Sequence, residues 1–163
     1  MARKQNRRKA SPAAAILTVL VLAALFVWRM LGSPEDGKTQ ITLPNGELHV
    51  WFLDVGQADS SLLVCDGQAM LIDGGNVDDA SYVVASLEQY GVTSLDYVIN
   101  THCDEDHVGG LAGVLAKFPA EHVWSSTAEY GTKAFSNFVK YANEQGRAIE
   151  IPSPGDTFTL GEA

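Results

Sequence analysis

Basic side chains are scarce over most of this chain. Six of its 11 Lys/Arg fall within residues 1–33, and residues 34–163 hold the other five beside all 20 Asp/Glu, a balance of −15 (5 − 20). So acidic a stretch repels polyanions and stays soluble. It counts against tight nonspecific nucleic-acid binding by this portion, which would want a basic face, but leaves room for a metal-bridged phosphate substrate. Cysteine is nearly absent too. Cys65 and Cys103 cannot make a disulfide framework, and each reads as a small, partly buried side chain with no bridge. Internal repeats and low-complexity segments are missing. At 163 residues the chain is long enough for one domain and short for two.

One long apolar run is present. Residues 13–31 carry only Thr18 and Arg29 as polar interruptions and span about 28 Å as a helix, close to a hydrocarbon core. A basic cluster (Arg3, Lys4, Arg7, Arg8, Lys9) fills the segment 1–12 before it. That asymmetry places the N-terminus in the cytoplasm and the rest outside. A cleaved signal peptide would need a small-x-small exit, whereas the run ends Trp28-Arg29-Met30-Leu31. The expectation is therefore an uncleaved signal anchor on a single-pass membrane protein, with secretion after cleavage as the alternative. Residues 32–46 read as a polar tether, and 47–163 as the domain.

Within the domain, strand and helix signals alternate, which makes the class α/β. Residues 47–55 read as a strand apolar on both sides. Strands 60–65 and 68–73 flank Asp66-Gly67, a hairpin turn dipeptide. Helical spacing covers 80–90 with Gly91 as the stop. A strand over 96–101, a helix over 108–118 ending at Pro119, and a strand over 121–125 follow. Next come an amphipathic helix over 132–145 and two more strand patterns, 148–151 and 157–160.

The strand over 96–101 delivers the densest chemistry in the chain, the run His102-Cys103-Asp104-Glu105-Asp106-His107 followed by Gly109-Gly110. Imidazole and carboxylate together suit Zn²⁺, and the carboxylates tilt the set toward harder ions such as Mn²⁺. In an extended turn His102 and Asp104 point the same way, while Asp106 and His107 face a second position at a helix start. The two glycines admit close backbone approach. Without the metal, the same run would be an acidic surface loop with two incidental histidines. His49 and His122 read as ordinary strand histidines, and Cys103 points away from the ligands.

The run THCDEDHVGG resembles the THxHxDHxGG signature of metallo-β-lactamase-fold hydrolases. It is most similar to their ComEC-type branch, in which Asp replaces the second His. Phe52-Leu53-Asp54-Val55-Gly56-Gln57-Ala58-Asp59-Ser60 resembles that branch's FLDVGQGDS motif, and Leu71-Ile72-Asp73-Gly74-Gly75 its LIDGG motif. The resemblance implies an αββα sandwich, of which this chain holds the first half. It implies one or two divalent ions, Zn or Mn, that activate water to hydrolyse a phosphodiester or related ester. By carry-over His102 and Asp104 hold one ion. Asp106 and His107 hold the second, or Asp106 orients the attacking water. Asp73 braces the metal loop or is a plain turn aspartate, and Asp59 and Ser60 line the rim. Nucleic acid is an allowed but disfavoured substrate, given the charge.

Two departures stand out. Ala58 replaces a glycine of FLDVGQGDS, which shifts the loop if that position needs a positive φ. Family members also take a His, a bridging Asp and a last His from further downstream, whereas no His follows His122 and the only later Asp is Asp156. With a strand pattern starting at 157, the expectation is a domain cut on its C-terminal side, with an apolar sheet face uncovered. The rival reading is a non-catalytic anchored module with a vestigial metal loop.

Overall fold

The computed structural model describes residues 21–23 and 43–163. Two compact units divide the chain, 1–38 and 39–163. In the first, residues 21–23 are helical, and the rest of the expected anchor, 13–31, lies outside the described residues. Among the described residues no helix is long and apolar enough to cross a membrane.

The second unit is built on one mixed five-stranded sheet in the order β1-β2-β3-β4-β5. The strands are β1 (His49–Phe52), β2 (Ser61–Cys65), β3 (Gln68–Ile72), β4 (Leu95–Asn100) and β5 (Ala120–Ser125). Strands β1, β2 and β3 pair antiparallel, and β3, β4 and β5 parallel. Asp66 and Gly67 close the β2–β3 hairpin, both at positive φ (50° and 81°), as a tight primed turn requires. Parallel pairing demands crossovers. Helix α1 (Ala80–Gln89) links β3 to β4, while α2 (Glu105–Val108) and α3 (Leu111–Lys117) link β4 to β5. After β5 comes α4 (Lys133–Glu144).

Alternation along the strands sends Leu62, Val64, Ala69, Leu71, Val98 and Val123 to the helix-covered face. There they meet Val83 and Leu87 of α1, Leu111 and Val114 of α3, and Phe135 and Phe138 of α4. Burying each large side chain contributes about 1.5–3 kcal/mol. The opposite face holds a smaller cluster of Cys65, Met70 and Leu160, flanked by Leu63, Ile72, Tyr97 and Ile99. Toward the β1 edge that face stays open, with Phe52 85% exposed. Trp51, on the core side, stacks on Tyr90 at 4.4 Å.

Four expectations are revised. Strand β1 is shorter than 47–55, and its second apolar face is exposed. The helix over 108–118 is two helices, broken at Gly109-Gly110. Segment 148–151 is reduced to a single parallel bridge between Trp124 and Glu150. Residues 157–160 form no strand; only Leu160 is buried, against Cys65 and Met70. Segment 148–151 meets β5 through Glu150 alone, and 157–160, for all its β-propensity, pairs with no strand among the described residues. Ala58 is not at positive φ, since Asp66 and Asp73 are the only non-glycine residues there among those described.

Candidate metal centre

The three sequence motifs meet at one edge of the sheet. Asp73 follows β3, Thr101 to Asp106 follow β4, and Asp59-Ser60 precede β2, whose first residue pairs with the last of β3. In an open sheet the carboxyl ends of parallel strands are where ligands collect. Here the backbone stitches the loops together. Asp59 N–H donates to the Asp106 carbonyl at 3.1 Å and Gly75 N–H to the Asp59 carbonyl at 2.8 Å. Gly74 N–H donates to the His107 carbonyl at 2.7 Å and Gly110 N–H to the Gly75 carbonyl at 3.1 Å.

Such contact needs bare backbone. A Cβ on Gly110 would fall on the Gly74 carbonyl oxygen, and one on Gly74 would stand 2.7 Å from the Leu111 nitrogen. The break between α2 and α3 thus follows from packing, because the chain must turn around the LIDGG loop.

Asp73 organises the interior of this edge. It is buried and sits at φ 57°, a left-handed conformation that aspartate tolerates better than most residues. Its Oδ1 accepts from the Thr101 amide at 2.8 Å and its Oδ2 from the Thr101 hydroxyl. The same Oδ2 lies 3.0 Å from His107 Nδ1. That hydrogen bond, more than the nearby charge of Asp73, Asp106 and Asp59, holds the His107 pKa above its usual value. It also leaves Nε2 as the free face of the ring, 3.7 Å from Asp59 Oδ2 and 4.0 Å from Asp106 Oδ1.

On the other side of the loop, His102 Nδ1 stands 3.4 Å from Asp104 Oδ2, and the two imidazoles meet edge to face with centroids 5.6 Å apart. Tyr130, from the β5–α4 loop, donates its hydroxyl to Asp104 Oδ1 at 3.0 Å. This raises the phenol's pKa, because ionising it would set two negative charges together. Ser60 is not on a rim. It is buried, and its hydroxyl donates to the Asp73 carbonyl at 3.0 Å. Cys103 is buried beneath the loop beside Asn100 and Ser126. His122 lies on the open sheet face, held by Glu150 at 3.0 Å and stacked on Tyr97.

Donor type and spacing fit a divalent ion. Zinc ligand bonds of 2.0–2.1 Å put neighbouring donors about 3.3 Å apart in a tetrahedron and opposite donors about 4.2 Å apart in an octahedron. The pairs above, at 3.4, 3.7 and 4.0 Å, fall in or near that range. Among the described residues no three His, Cys, Asp or Glu side chains yet close on one point. Asp59 and Asp104 are 71% and 57% exposed, so core packing does not fix their side chains. Charge argues the same way. Asp59, Asp73, Asp104 and Asp106 crowd two imidazoles, and no described Lys or Arg pairs with them. A cation relieves that repulsion.

Thr101 and Tyr130 were not singled out in the sequence. Thr101 could have been, as the first letter of the motif and the natural reach of a turn aspartate. Tyr130 gives no signal, because its loop lies 26 residues from Asp104.

A mixed sheet with helices on one face, and a His/Asp loop after a parallel strand, define a metallo-β-lactamase-type α/β protein. Residues 53–162 match the Metallo-beta-lactamase superfamily, and the chain belongs to that family, whose members are generally hydrolases that use divalent metal. It is 30% identical over 119 residues to Recombination protein 2 of Haemophilus influenzae, covering 68% of this chain and 15% of that protein. It is 33% identical over 113 residues to Competence protein ComA of Neisseria gonorrhoeae, covering 69% and 15%. Both agree with the ComEC-type motifs. Among solved structures, MEM-A1, a subclass B3 metallo-β-lactamase from a soil metagenome library, superposes with a TM-score of 0.54 at 18% identity, over 77% of this chain and 51% of that one. That likeness concerns the fold alone. The chain spans about a seventh of the length of these curated relatives and half of that solved structure.

Proposed function

We propose that this domain serves a metal-dependent hydrolase that acts outside the cytoplasm on a phosphodiester or related ester, anchored by residues 13–31. The observation that carries the reading is the posture of His107. One ring nitrogen is held by buried Asp73 while the other faces Asp59 and Asp106. A carboxylate behind an imidazole is the usual support of a ligating histidine, fixing its tautomer and raising its basicity.

His102 and Asp104 would hold one divalent ion, Zn or Mn, and Asp106 and His107 a second. A bound ion supplies Lewis acidity and brings the pKa of a water toward neutrality. Asp106, partly exposed at the start of α2, would either help His107 hold the second ion or, instead, accept a hydrogen bond from the attacking water and orient it. Asp73 fixes His107 through its ring proton, and Thr101 fixes Asp73. The acidic surround disfavours a long polyanion.

The test is hydrolysis of bis(p-nitrophenyl) phosphate by the full chain in detergent, with zinc or manganese added. Metal-dependent turnover that falls at least 100-fold in Asp106→Asn supports the reading. Metal binding without turnover favours a non-catalytic module. That second reading draws on the donors standing in pairs rather than in a closed set.

A further inference from the structure

Asp104 occupies the position where the wider signature has histidine. An imidazole offers one ring nitrogen in a set direction. A carboxylate offers two equivalent oxygens, and something must choose between them. We propose that Tyr130 is the positioning residue that makes this choice, taking up Asp104 Oδ1 and leaving Oδ2 as the single donor toward the metal position. The inference rests on the metal reading above and deepens it.

The geometry is specific. An ionised carboxylate accepts only, so the phenol donates, at 3.0 Å to Oδ1. The other oxygen, Oδ2, is the one 3.4 Å from His102 Nδ1, so the two oxygens of one side chain already face different partners. Tyr130 is itself anchored. Its ring meets Phe135 edge to face at 6.1 Å, and Phe135 is buried on α4. Helix α4 starts where the Thr132 hydroxyl accepts from the Phe135 amide at 3.3 Å, a standard N-terminal cap. The β5–α4 loop is thus tied to the core and delivers a fixed donor to an exposed carboxylate. Tyr130 is 44% exposed, so its hydroxyl has no role in filling the core.

The competing account is an exposed tyrosine–aspartate hydrogen bond with no bearing on metal. Zinc titration calorimetry of the full chain, with Tyr130→Phe and the control Tyr82→Phe, separates the two. Tyr130→Phe should bind zinc about 10–100-fold more weakly, the usual effect of removing an outer partner of a ligand. Tyr82→Phe, on the solvent face of α1, should bind as wild type. Cobalt(II) provides a second readout. Loss of the phenol frees both oxygens of Asp104, so the visible bands of the cobalt-loaded chain should change in Tyr130→Phe alone. Equal zinc affinity and identical cobalt spectra in wild type and Tyr130→Phe would overturn the inference and leave the metal reading standing. A melting temperature in EDTA that drops along with affinity would show a merely structural role and also overturn it. Failure of wild type to bind either ion removes the metal reading and this inference with it.

Discussion

Asp73 holds Thr101 by two bonds and His107 by a third, from a backbone conformation that a side chain seldom adopts. Asp73→Ala removes the acceptor of the part-buried Thr101 amide bond and leaves His107 free to turn. It should cost about 1–3 kcal/mol in denaturant unfolding and weaken zinc binding about 10–100-fold. Asp73→Asn, which keeps the backbone preference, should recover part of the stability. The raised pKa of His107 gives a signed pH effect in the metal-free chain. A raised value means the folded state holds the proton more tightly than the unfolded. The stabilisation is therefore complete below the ordinary 6.5 and is lost as pH climbs through the raised value. In EDTA, melting temperature should fall across that window in wild type relative to His107→Gln; a pH-independent difference would contradict it. At this scale the sequence was readable where residues are close along the chain. His102, Asp104, Asp106 and His107 announce themselves by density. The bond from Tyr130 to Asp104 was hidden, because a lone tyrosine in a polar loop says nothing of where the loop will lie.

At the scale of elements, the site depends on two glycine pairs packed back to back. Gly109-Gly110 ends α2 so that the chain can pass Gly74-Gly75 at backbone contact. Gly110→Ala drives a methyl onto the Gly74 carbonyl. It should destabilise by about 1–3 kcal/mol or more and loosen metal binding as the loops part. Gly131→Ala, where a Cβ meets nothing within 4 Å, should be neutral by the same chemical denaturation. Close approach was legible from the glycines, but a split helix was not, since its apolar spacing runs on through the break. Segments 148–151 and 157–160 failed as strands for a related reason. A strand is completed by its neighbours, and periodicity reports the pattern without the partner. The Asp66-Gly67 hairpin was readable because its two strands are adjacent in the chain.

For the whole molecule, one sheet face is sealed by helices and the other is apolar and only partly covered. Phe138→Ala, at the centre of the sealed face, should cost about 3–5 kcal/mol in urea unfolding. Phe52→Ser, on the open face, should change stability by less than about 0.5 kcal/mol while improving solubility. Equal effects at the two sites would reverse this assignment of inside and outside. The acidic balance of residues 34–163 fits a site that gathers a cation among carboxylates, and the family's metal chemistry agrees with it.

The most direct test of the metal centre is zinc titration of the full chain beside Asp104→Ala/His107→Ala, with stoichiometry read by calorimetry. Wild type should bind one or two ions and the double variant none in the same concentration range. Identical isotherms for the two proteins would contradict the assignment of this loop as the site.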